Sequence, residues 1–234
     1  MTPALNTATH RTISDRSFAL TIVVLGAVLA LLGGVLLWNE AALFLKSGDG
    51  RGARLAPLTN GTYTTGVSVF SNRTLMLDCD EALTSTFGRL QPSAVRRSYA
   101  ESCIAAADDV LARRPTDGLA YLVKANAYAF LENRDGMIDA LRLSQALAPQ
   151  EGWIADGRLR LALPLYMDLP DALQKAIAAD VAVLASSRRS AAWLARLYLR
   201  KEKGPDVLLQ ILDTLPDASK GNVLAEIRTA TSLR

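Results

Sequence analysis

Residues 118–149 read GLAYLVKANAYAFLENRDGMIDALRLSQALAP. Apolar residues recur at helical spacing on both sides of Asn133-Arg134-Asp135-Gly136, a turn-forming run, and Pro149 closes the stretch. The spacing predicts two helices, over 118–132 and 135–148. A connection this short makes neighbouring helices pack antiparallel. Pro115-Thr116-Asp117-Gly118 supplies the start signal, so Pro115 and Pro149 delimit a unit of 34 residues.

The same punctuation recurs on either side. Pro92-Ser93, Gln150-Glu151-Gly152, Leu169-Pro170-Asp171, Gly204-Pro205-Asp206 and Pro216-Asp217 are turn or helix-start signals. They predict further helices over 78–90, 93–114, 152–166, 170–186, 189–202, 205–214 and 219–231. Pro164 should kink or end the helix it falls in. Half of the chain is hydrophobic and little of it aromatic, with Ala and Leu dominant, which favours helices. The expected fold class is all-α.

The unit at 118–149 resembles a tetratricopeptide repeat. Tyr121 and Tyr128 stand at its two aromatic positions, Ala125 at the small residue where the helices touch, Leu141 at the large residue of the second helix, and Pro149 at its close. Lys124 replaces a Leu of the pattern and Met137 an Ala. A weaker match, SAAWLARLYLRKEKGPDVLLQILDTLP, places Trp193 at the first aromatic and Leu197 at the small position. The resemblance implies a tetratricopeptide-like stack of hairpins that bury their apolar stripes only against one another. It also implies a concave face lined by the first helices, where ligands lie. On that face it puts Leu122, Asn126, Trp153, Asp156, Arg160, Tyr198 and Lys201 as partner-binding candidates. Each has a plainer reading: Trp153 as core, Asp156 and Arg160 as an i,i+4 pair, Lys201 as a solvated charge. An irregular all-α bundle is the alternative architecture.

Upstream, Phe18–Trp38 reads FALTIVVLGAVLALLGGVLLW, 21 residues without a charge. At about 1.5 Å per residue such a helix matches a bilayer core of about 30 Å. Trp38 suits the interface. A soluble core helix rarely lacks a polar face over this length, and a signal peptide has a shorter apolar stretch. The segment therefore reads as one uncleaved transmembrane helix. Flanking charges (Arg11 and Arg16 before, Lys46, Arg51 and Arg54 after) lean towards a cytoplasmic C-terminus. The cysteines argue the other way. Cys79 and Cys103, the only pair in the chain, fit one disulfide in an oxidising compartment, and each lies twelve residues from Gln91 near the expected turn. Two buried thiols are the alternative. The resulting expectation is a cytoplasmic tail (1–17), a transmembrane helix (18–38), a linker with an extended segment (39–77) and a helical domain (78–234) in the periplasm, anchored in a bacterial inner membrane. The Gly-rich run 46–61 reads as linker, and the β-branched and aromatic run 62–76 as extended chain.

His10, the only histidine, precedes the apolar segment, so histidine-based catalysis or metal binding in the helical domain is excluded. No nucleotide-binding, metalloprotease or Cys-x-x-Cys motif occurs. The expectation is a non-enzyme without cofactor. A net charge of +3 is mild, and the pairs Arg96-Arg97, Arg113-Arg114 and Arg188-Arg189 read as helix-surface charges rather than a nucleic-acid footprint. Cys79, Cys103 and the string LAPQEGWIADGRLRLALPL (147–165) are similar to small anchored proteins of bacterial exopolysaccharide export and polymerisation systems. That resemblance implies a scaffold for protein partners, membrane proteins of polysaccharide assembly among them. A glycan- or peptidoglycan-binding module is the competing expectation, and would need a cleft lined by Trp153, Tyr198 and Arg160.

Overall fold

The computed structural model describes residues 15–45, 50–199 and 205–232, and all regular structure among them is helical. Two compact units form, residues 1–46 and 47–234. The first holds one helix, α1 (Asp15–Leu45), longer at both ends than the expected span. Within it Ser17–Trp38 is long enough and apolar enough to cross a membrane, and none of that stretch is buried. The Thr21 hydroxyl donates to the Ser17 carbonyl at 2.9 Å, so it is satisfied inside the helix.

The second unit starts with α2 (Arg51–Thr59), where a linker was expected. Local propensity does not explain this helix, which contains Gly52 and Pro57. Tertiary contacts do. Leu55 and Leu58 are buried, Arg54 pairs with Asp78 at 3.0 Å and with Glu81, and Arg51 reaches Glu81 at 3.0 Å. The expected extended segment is likewise overturned from Val69 onward, because α3 runs Val69–Thr84. Its start is set by Ser68, whose hydroxyl accepts from the Ser71 amide at 3.0 Å, an N-cap that outweighs the β-branched run around it. The preceding loop is tied down by Arg113, which donates to the Gly66 carbonyl at 3.0 Å.

After α3 come α4 (Thr86–Arg89), α5 (Ser93–Arg113), α6 (Gly118–Phe130), α7 (Arg134–Leu147) and α8 (Gly152–Ala162). Asp117 caps α6 by accepting from the Ala120 amide at 3.1 Å, and Asn133 caps α7 through Gly136 at 2.9 Å. The expected first helix of 78–90 is thus two helices broken at Ser85, whose hydroxyl caps α4 through the Gly88 amide. A Cβ at Gly88 would overlap the Ala82 carbonyl, so only glycine allows α4 to fold back on α3. Cys79 on α3 and Cys103 on α5 lie at disulfide distance, their Cα atoms 5.6 Å apart.

At Leu163 the chain passes into a 3-10 helix (Leu163–Asp168) with Pro164 in its first turn, and α9 (Asp171–Ala185), α10 (Arg188–Leu199), α11 (Pro205–Asp213) and α12 (Asp217–Ser232) follow. α6 and α7 form the most extensive pair; α8 packs on α9, and α10 packs mainly on α12 and only slightly on α11, the partner that sequence order suggests. α3, α6, α8 and α10 lie side by side in that order, each against the next.

Sequence reasoning missed the polar centre of this unit. Arg158 on α8 and Asp180 on α9 are both wholly buried. The guanidinium meets the carboxylate twice, at 2.7 and 2.6 Å, and also donates to the Ser144 and Ala148 carbonyls at 3.2 Å each. The Ser144 hydroxyl in turn donates to the Gly118 carbonyl at 2.8 Å. This network joins α6, α7, α8 and α9. Burial pushes the Asp180 carboxyl above its ordinary range, and the hydrogen bonds and charge of Arg158 oppose that push.

Candidate functional site

α3 and α8 stand on either side of α6 and leave a groove whose floor is α6. Three adjoining hollows follow it. At the N-terminal ends of the helices, one of ≈ 240 Å³ is bounded by Val69, Arg73, Leu119, Leu147 and Trp153. The central one, ≈ 250 Å³, is lined by Leu77, Asp80, Leu119, Leu122, Trp153, Asp156, Arg160 and Trp193. At the far end, one of ≈ 250 Å³ is lined by Asp80, Thr84, Arg89, Arg96, Asn126, Phe130 and Arg160. Trp153 is shared by the first two hollows, and Asp80 and Arg160 by the last two.

The groove is narrow because α6 and α8 approach closely at Gly157. A Cβ there would come within 2.5 Å of Leu122 Cδ2. Across the groove, the Arg73 guanidinium of α3 lies over the Trp153 ring of α8, 4.6 Å from its centroid. Further along, Asn126 donates to Asp80 at 3.2 Å, and Arg160 pairs with Asp156 at 2.9 Å. Burial pushes the Asp80 carboxyl above its ordinary range. The Arg160 charge opposes the push, the Asp156 charge adds to it, and a Thr84 hydrogen bond opposes it.

Five of the residues placed on this face by sequence line the hollows: Leu122, Asn126, Trp153, Asp156 and Arg160. Leu122 is the deepest of them, only 2% exposed, and forms the floor of the central hollow where it seats Gly157. Tyr198 is a correction. Trp193 is the α10 residue that reaches the groove; a residue five positions on is turned about 140° around the helix, and Tyr198 packs on the core instead. Lys201 lies outside the described residues.

Asp80, Arg89, Arg96 and Phe130 were missed. A sequence signal existed for the arginines: neither Arg89 nor Arg96 has an acidic residue three or four positions away, unlike Arg97 with Glu101. Lys124, a departure from the tetratricopeptide pattern, has a structural reason, because it pairs with Asp108 of α5 at 2.6 Å and so ties α6 to the preceding helix. Among the described residues no three or more His, Cys, Asp or Glu side chains are grouped to hold a metal ion. No protein-family model matches the chain, and neither does any curated protein or solved structure.

Proposed function

We propose that this chain is a non-catalytic, membrane-anchored adaptor that holds a partner protein in the groove between α3 and α8. In this reading α1 crosses the bacterial inner membrane, the helical unit works in the periplasm, and the task is scaffolding in envelope or extracellular polysaccharide assembly. The observation that carries it is the groove itself. Three adjoining hollows bring two tryptophans, exposed Leu77 and a set of fixed charges to one face, the composition of a surface built for contact. Support for a tetratricopeptide-like stack comes from Ala125 and Leu141, both fully buried in the α6–α7 pair, and from the side-by-side order of α3, α6, α8 and α10.

The test is a photocrosslinking amino acid placed in living cells at Leu77 in the groove, and at Leu224 on α12 as the control. A specific protein adduct from Leu77, reduced by Asn126→Arg in a protein that keeps its helical circular dichroism, is the expected result. Alkaline phosphatase fused after Arg234 should be active. Fluorescence from a cytoplasm-only reporter there, without phosphatase activity, overturns the topology. One observation favours a second reading: Trp153 and Arg160 share the central hollow, an arrangement that also suits a sugar ring. If Leu77 yields no protein adduct and the purified chain retains a labelled glycan, the glycan-binding module replaces the adaptor.

A further inference from the structure

The charges of the groove are not evenly satisfied. Asn126 already bonds Asp80, and Asp156 already bonds Arg160. Arg89 and Arg96 are different: among the described residues neither has a carboxylate partner, and both line the far hollow. Arg96 is nevertheless held in place, its guanidinium 4.5 Å from the centroid of the Phe130 ring. Arg89 is carried by α4, whose fold-back on α3 depends on Gly88. With Arg160 beside them, three guanidiniums face one hollow of ≈ 250 Å³, against the single carboxyl of Asp80, which already accepts from Asn126. The central hollow next to it is walled largely by apolar groups, Leu77, Leu119, Trp153 and Trp193.

From this arrangement we infer that the groove takes an extended segment of a partner protein carrying an acidic residue, its carboxylate received by Arg89 and Arg96 and a neighbouring apolar side chain seated against Trp153 and Trp193. This rests on the adaptor reading and specifies its partner. Arginine suits the role because its planar fork matches a carboxylate with two parallel hydrogen bonds. A peptide fits better than an acidic glycan because the hollow beside the arginines is walled mainly by apolar side chains, Leu77, Leu119, Leu122, Trp153 and Trp193, whereas a sugar needs partners for many hydroxyls.

The experiment uses the full chain purified in detergent and a pool of fluorescein-labelled nine-residue peptides. Each has one Leu and one Glu in an alanine background, with the spacing varied, and a matched pool carries Gln for Glu. Fluorescence anisotropy should find a Glu peptide bound at least tenfold more tightly than its Gln partner. That preference should fall at least fivefold in Arg89→Gln and in Arg96→Gln, and weaken between 50 and 500 mM salt. Among the described residues Arg89 makes no ion pair or ring contact to another element, so Arg89→Gln should melt with the wild type. Arg96→Gln gives up its contact with the Phe130 ring of α6 and should melt a few degrees lower at most, and binding measured well below both melting temperatures keeps a loss of binding distinct from a loss of fold. Equal binding of the Glu and Gln pools, no binding by either, or a preference untouched by both substitutions would overturn the inference. Any of these would leave in-cell crosslinking at Leu77 free to succeed, so the adaptor reading stands or falls separately. Binding of trigalacturonate that requires Arg89 and Arg96, with no peptide bound, would overturn it in favour of an acidic glycan.

Discussion

Asp180→Asn is the substitution with the largest predicted consequence for this fold. It leaves the Arg158 charge wholly buried, with three hydrogen bonds to Ser144 and Ala148 but no counter-charge. Breaking a buried pair from one side costs about 3–5 kcal/mol. For a domain of this size that lowers the melting temperature by about 6–20 °C, at roughly 2–4 °C per kcal/mol. Arg158→Met should cost less, and by a pH-dependent amount. Arginine cannot shed its charge, whereas the stranded Asp180 can take up a proton. Its folded-state pKa then lies above the unfolded value, so stability falls as pH rises through that interval, and the deficit of Arg158→Met should be larger at pH 7.5 than at pH 5. The double variant Arg158→Met/Asp180→Leu removes both charges. The Ser144 carbonyl keeps a bond from the Ala148 amide at 3.0 Å and the Ala148 carbonyl one from the Glu151 amide at 3.5 Å, so the residual loss should be about 1 kcal/mol or less. Thermal and urea unfolding of the wild type, Arg158→Met, Asp180→Leu and their double variant closes a double-mutant cycle, with Asp180→Asn measured beside it. A loss below about 1 kcal/mol for Asp180→Asn, or additive single effects, would refute the assignment of this pair as the unit's electrostatic centre.

A bond between Cys79 and Cys103 closes a loop whose ends are 24 positions apart, and reducing it should remove about 3.5 kcal/mol by loop-closure entropy. Non-reduced, alkylated protein from its native compartment should show no modified cysteine by mass spectrometry; two alkylated thiols count against the bond. Gly157→Ala forces a methyl onto Leu122 and should destabilise by about 1–3 kcal/mol. Leu122→Ala should then cost less in that background than alone, and equal costs would mean that the two helices do not meet there. Because burial raises the Asp80 carboxyl above its unfolded value, ionising it disfavours the fold from about pH 4 upward. Asp80→Asn should therefore gain stability relative to wild type between pH 4 and pH 7; a constant difference across that range contradicts the shift.

Much of the helical framework was legible because its boundaries are chemical. Asp117 and Asn133 accept from amides that the backbone leaves open, Pro92 directly precedes α5, and all three fall within a residue or two of the observed starts. The site residues on α6 and α8 followed from the resemblance of the unit at 118–149 to a tetratricopeptide repeat, which implies a face lined by first helices. The failures share a cause. α2 is held by Leu55, Leu58 and by arginines whose partners are more than twenty positions away, and no window of local sequence contains that information. Arg158 and Asp180 are 22 positions apart on different helices, and each reads locally as a surface charge. At 69–76 the local preferences were read in the wrong direction, because a serine cap was underweighted against β-branched neighbours. Tyr198 was misplaced by register, five residues beyond the position that reaches the groove.

The position of α2 in the chain has a consequence for how the protein is made. Ribosomes deliver residues N-terminus first, at about 5–20 per second. α2 follows the apolar helix at once, yet the surfaces that bury Leu55 and Leu58 belong to α3 and α5, and α5 ends at Arg113. For about 3–11 seconds of synthesis, the time needed for the intervening stretch, α2 has no completed interior to join. During that interval it is a nine-residue segment with two leucines and two arginines, a few residues after the apolar helix in the chain. A bilayer surface offers such a segment temporary shelter: lipid headgroups for the arginines and the acyl boundary for the leucines. In the membrane-anchored reading, the nascent domain would begin its folding as a peripheral membrane peptide, and the arrival of α5 would draw it off the lipid into its final place.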